Sequence, residues 1–187
     1  MYHVVMSMEQ LAKIAAEQQG YFRTAQALES GVTRRQLYWA DRTATVENIR
    51  YGLYRFAHFP STPFDELHEI QTLTPVATFS HETALQIYGL SSVLPRTIHV
   101  TVPPTSGCKP RPGLTLHHAS IAADDRKLRD GMWVTSVART LRDTARAGVD
   151  PDQLLEAARD AQRRGMLASD DLDRLRSRYP FSSLPRA

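Results

Sequence analysis

Apolar residues in the first part of the chain recur at helical spacing between polar caps and glycines. Ser7, followed three positions later by Gln10, forms a capping-box pattern, and Leu11, Ile14 and Ala15 then share one face of a helix running to about Gln19 and ending at Gly20. Tyr21 and Phe22 make a short extended link. Thr24 caps a second helix, Ala25 to Ser30, closed by Gly31 where a left-handed residue is wanted. Thr33 with Gln36 repeats the capping box and predicts a third helix from Arg34 to about Thr43. VENIRYGLYRF then reads as a hairpin: Val46 to Ile49, a tip at Arg50, Tyr51 and Gly52, and Leu53 to Phe56.

Pro60, Ser61, Thr62 and Pro63 separate this region from the next patterned one, so the boundary is set there, between residues 1–59 and 60–187. Helices are expected from Phe64 to about Leu73 and from Glu82 to Tyr88, the latter capped by Ser80 and stopped by Gly89. Ile98, Val100 and Val102 alternate with His99 and Thr101, and Leu114 and Leu116 with Thr115 and His117, giving two half-buried strands around PPTSGCKPRPG. Met132 to Thr135 adds a strand. Ser136 caps a helix through Ala147, Asp150 and Pro151 begin one running to Arg164, and Ser169 begins a last one. The fold class is α+β: an amino-terminal winged helix-turn-helix, then an α+β domain with a helical carboxyl end.

The third helix breaks a local rule. The amino end of a helix carries positive partial charge, so the adjacent Arg34 and Arg35 cost a few tenths to about 1 kcal/mol each. Arg34, Arg35, Tyr38 and Arg42 share a sector of about 100°, with Leu37 and Ala40 opposite. A solvated face would explain such residues in a generic helix. In a recognition helix the first turn enters the major groove, where one good arginine–base contact contributes about 1–3 kcal/mol and outweighs the local cost. The candidate DNA-binding residues are Thr33, Arg34, Arg35, Tyr38 and Arg42 on the helix and Arg50 and Tyr51 at the hairpin tip. Trp39, at the flank of the face, is assigned to packing.

The net charge of +3 does not by itself point to nucleic acid, and the arginines and aspartates after Ser120 are interspersed as on an ion-pair surface. Cys108 is the single cysteine, which excludes an internal disulfide; neither a signal peptide nor a membrane span is indicated, and a cytoplasmic setting fits. Seven histidines raise a metal hypothesis for His81 beside Glu82, for His99 and His117, and for Asp124 and Asp125. No HxxxH, CxxC or HExxH pairing occurs, and His117 and His118 face opposite sides of a strand, so packing and surface roles are preferred. No catalytic, cofactor or metal site is assigned, and an enzyme is unsupported.

GYFRTAQALESGVTRRQL, YGLYRF, FSHETALQIYGL, TIHVTVP and WVTSVARTLRDTA, in this order and spacing, resemble the successive blocks of the AbiEi family of bacterial antitoxins from type IV toxin–antitoxin and phage abortive-infection systems. Where that family often has a glycine closing the recognition helix, this chain has Ala44 and Thr45. The resemblance implies a winged-helix DNA-binding domain joined to an antitoxin domain. It further implies repression of the chain's own operon at inverted repeats in promoter DNA, and neutralisation of a nucleotidyltransferase-like toxin without a stable complex. The alternative is a stand-alone winged-helix regulator whose carboxyl domain senses a ligand or dimerises.

Overall fold

In a computed structural model describing residues 2–90 and 95–178, helix α1 (Tyr2–Ala16) begins before the Ser7 pattern predicts. No glycine or proline separates Tyr2 from Ser7, so the helix propagates through that stretch. The turn after it ends at Gly20, with φ +87°, where an added Cβ would lie 2.5 Å from the Phe59 ring. Strand β1 (Tyr21–Arg23) follows, then α2 (Thr24–Glu29), whose first turn is held by Gln26 Oε1 accepting the Arg23 N–H at 2.9 Å. Helix α3 (Arg34–Arg42) starts on the expected capping box: Thr33 Oγ1 accepts from the Gln36 N–H at 3.2 Å, and Gln36 Oε1 from the Thr33 N–H at 2.7 Å.

Strands β2 (Val46–Arg50) and β3 (Leu53–Phe56) form the expected hairpin, with Gly52 at φ +78° in the tip. The Tyr21–Phe22 link is itself a strand, pairing antiparallel with β3 to give the sheet order β1-β3-β2. Three residues show no period of their own, and only the distant partner makes them a strand. Leu11, Ala15, Phe22, Ala27, Val32, Leu37, Val46 and Phe56 form the core beneath the helices.

Helix α4 (Asp65–Leu73) packs on β1 and β3 and buries Leu67 and His68, the His68 ring stacking on Tyr21 at 6.5 Å. The segment before it is fastened as well. The buried Arg55 guanidinium lies 5.0 Å from the centre of the Tyr21 ring, donates to the Pro60 carbonyl at 2.6 Å and approaches Asp65 at 3.7 Å. The two compact units therefore divide between Pro75 and Val76, not at Pro60: one comprises Met1–Pro75 with Asp130–Met132, the other Val76–Arg129 with Trp133–Ala187.

The second unit is built on β4 (Thr78–Phe79), β5 (Ile98–Val102), β6 (Leu114–His118), β7 (Arg126–Arg129) and all but the first residue of β8 (Met132–Thr135), in the order β6-β5-β4-β8-β7. Strand β4 runs antiparallel to β5 and parallel to β8, while β5 and β6 are parallel. The Pro103–Gly113 connection returns the chain without a helix: a five-residue strand spans about 17 Å, and eleven extended residues reach about 36 Å. Its prolines lack the N–H donors that would let it pair as a strand. Helix α5 (His81–Tyr88) ends at Gly89, the expected stop, which holds the left-handed conformation. Helices α6 (Val137–Arg146), α7 (Pro151–Arg163) and α8 (Ser169–Arg178) make the carboxyl end helical, with Ser136 Oγ capping α6 and Asp150 capping α7. The later charges form the expected pairs, among them Arg139–Asp143 at 2.7 Å and Arg163–Asp160 at 2.9 Å. Strands β4 and β7 escaped the sequence reading.

Candidate nucleic-acid interface

Leu37 anchors α3 in the core of the first unit, which turns Arg34, Arg35, Tyr38 and Arg42 outward. All four are exposed, and no ion pair or hydrogen bond ties any of the three arginine side chains to another described residue. Thr33 is exposed too, but its hydroxyl is spent on the cap and positions the helix. The β2–β3 hairpin is held to α3 by Asp41 Oδ1, which accepts from the Asn48 N–H at 3.1 Å.

At the hairpin tip Tyr51 is fully exposed. Arg50 is not a free cation: it pairs with Glu69 on α4, a partner distant in sequence. Trp39 departs from the expectation of packing. It is 55% exposed and meets Tyr38 edge-to-face at 5.7 Å, so the two rings extend the basic face as an aromatic ledge. The short helix has room to bury only the Leu37 side, and Trp39 lies off it.

Three histidines that no metal-binding motif links, and for which packing and surface roles were preferred, come together in the second unit. His99 on β5 and His117 on β6 share a sheet face, because the parallel register places His117 opposite Thr101, two residues beyond His99. His99 Nδ1 and His117 Nε2 are 3.1 Å apart, and the His81 ring, at the start of α5, stacks on His117 at 3.7 Å. His81 Nδ1 meets Ser80 Oγ at 2.9 Å, Ser80 Oγ accepts from Thr101 Oγ1 at 2.8 Å, and Glu82 lies 3.4 Å from His99 Nε2. His81 holds φ +53°, a left-handed conformation that costs a non-glycine residue about 1–3 kcal/mol. Burial pushes its imidazole down to about 4, the His117 and His99 rings adding to the effect and Asp143 opposing it. Burial lowers His99 and His117 as well, with Glu82 opposing it at His99 and the His99 ring adding to it at His117. Motif spacing missed the cluster because its members come from a helix start and two strands. The only sequence signal was alternation placing His99 and His117 on half-buried strands.

A family model for the AbiEi antitoxin C-terminal domain matches residues 75–187, beginning where the two units divide. No curated protein matches the chain. Among solved structures, the crystal structure of the RV2827C protein from Mycobacterium tuberculosis is similar at 15% identity and a TM-score of 0.50, covering 93% of this chain and 72% of that one. At that identity the likeness concerns the fold alone.

Proposed function

The chain belongs to the AbiEi antitoxin family, and from that premise we propose that it is the antitoxin of a type IV toxin–antitoxin system that represses its own operon. The family gives it a toxin–antitoxin role and is not a family of enzymes. In this reading the first unit, a winged helix-turn-helix, binds inverted repeats in promoter DNA. The second neutralises a cytoplasmic nucleotidyltransferase-like toxin without a stable complex. Among the described residues no helix is long and apolar enough to cross a membrane.

One observation carries the DNA-binding half: Arg34 and Arg35 stand exposed and unpaired in the first turn of a helix whose dipole disfavours them. Cations kept there at a cost to the helix suit a phosphate- and base-lined groove. Tyr38, Trp39 and Arg42 continue the face, and Tyr51 reaches out from the wing toward the backbone. Footprinting on the promoter of the chain's own operon tests the reading: two protected half-sites are expected, because one winged domain makes too few contacts for tight discrimination. Absence of protection at low salt would overturn repression. The toxin half is tested by growth rescue, co-expressing residues 76–187 from an unrelated promoter beside the proposed nucleotidyltransferase-like toxin. A soluble, folded fragment that gives no rescue would overturn the division of labour.

A further inference from the structure

The second unit contains a side-chain group that neither DNA binding nor the antitoxin reading uses. We infer that His81, His99 and His117 form a binding site for one divalent transition-metal ion of the zinc class. Each residue offers one ring nitrogen, and the three atoms lie within 4.8 Å of one another. Tetrahedral zinc with nitrogen ligands at about 2.0–2.1 Å sets neighbouring donors about 3.3 Å apart. His99 Nδ1 and His117 Nε2 already stand at 3.1 Å.

The surroundings supply the outer partners such ligands use. A ligating histidine ordinarily gives its second ring N–H to a carboxylate, a carbonyl or another oxygen, which fixes the tautomer and raises ligand basicity. Behind His99 that role falls to Glu82, with Oε2 3.4 Å from Nε2, leaving Nδ1 for the ion. Behind His81 it falls to Ser80, whose Oγ faces Nδ1 at 2.9 Å and leaves Nε2 free. The left-handed backbone at His81 sets its ring against His117, nearly parallel to it, and a rotation of the His81 side chain brings Nε2 to the ion. His99 and His117 are only partly buried, so an ion has a route in. Three imidazoles select zinc, cobalt, nickel or copper over magnesium or calcium, and leave a fourth position for water or an external ligand.

The test uses the full-length chain without an affinity tag, stripped of metal by a chelator and titrated at neutral pH with Zn2+ by calorimetry and with Co2+ by visible absorption. One ion per chain is expected, with the absorption of tetrahedral Co2+. His99→Gln and His117→Gln should each abolish stoichiometric binding without altering the far-ultraviolet circular dichroism. Glu82→Gln should weaken it by about 10- to 100-fold, as loss of an outer partner does. His118→Gln, exposed and on the opposite face of β6 from His117, should leave it unchanged. Failure of the wild-type chain to take up one ion, or uptake that persists in the His99→Gln, His117→Gln double variant, overturns the site. Should His81→Gln fail to fold, the two strand variants still decide.

Discussion

Replacing Arg34 and Arg35 together by glutamate separates recognition from stability, because the two effects have opposite signs. Both residues occupy the first turn of α3, are exposed, and have no hydrogen-bond or ion-pair partner among the described residues, so the exchange breaks no contact there. Each exchange turns an unfavourable charge–dipole interaction into a favourable one, worth about 0.3–1 kcal/mol at low ionic strength and less when screened. A unit of this size moves its Tm by about 4–8 °C per kcal/mol, so the double variant should melt about 2–16 °C above wild type at low ionic strength and nearer to it when salt screens the dipole. Binding should change far more. Losing two base contacts of about 1–3 kcal/mol each weakens affinity by about 30-fold to more than 10,000-fold per half-site, before repulsion between the new carboxylates and phosphate is counted. Melting curves and gel-shift titrations at one fixed salt concentration read both quantities. Near wild-type operator affinity in the variant would refute the assignment of α3 as the recognition helix.

Three further outcomes are expected. Glu69→Gln releases Arg50 and removes a negative charge beside the wing; it should cost less than about 1 kcal/mol, since Arg50 is largely exposed, while strengthening DNA binding and steepening its salt dependence by about 0.9 in log–log slope, whereas weaker binding would mean that the pair orients the wing. Ala44 holds φ +54° at the end of α3, where the resembling family often has glycine, so Ala44→Gly should stabilise the chain by about 0.5–1 kcal/mol in urea unfolding; destabilisation would contradict the strain argument. Burial lowers the His68 imidazole below its ordinary range, with Arg55 adding and Asp65 and Asp130 opposing, so the unfolded chain binds the proton more readily. The resulting stability is complete above pH about 6.5 and is lost as pH falls below it; His68→Gln should flatten that loss, and equal slopes for variant and wild type would show that His68 does not contribute.

Features defined within about four residues were legible in the sequence. The Thr33–Gln36 box, the Gly52 tip, the Gly89 stop and the Asp150–Pro151 start all depend on hydrogen bonds or dihedral preferences between near neighbours, and each appears where its pattern places it. The outward face of α3 was legible for the same reason, since helical period alone sets Leu37 against Arg34 and Arg35. Tertiary structure decided whatever depends on a distant partner. Strand β1 exists through its pairing with β3, and α4 joins the first unit because Arg55 and Tyr21 hold Pro60, Asp65 and His68. Arg50 is engaged by Glu69, and His81, His99 and His117 meet only because a parallel register sets two strands side by side beneath the start of a helix. Local propensity is written in adjacent residues, whereas pairing, charge neutralisation and ligand geometry depend on which remote surfaces exclude water together, and no short window of sequence contains both halves of such a contact.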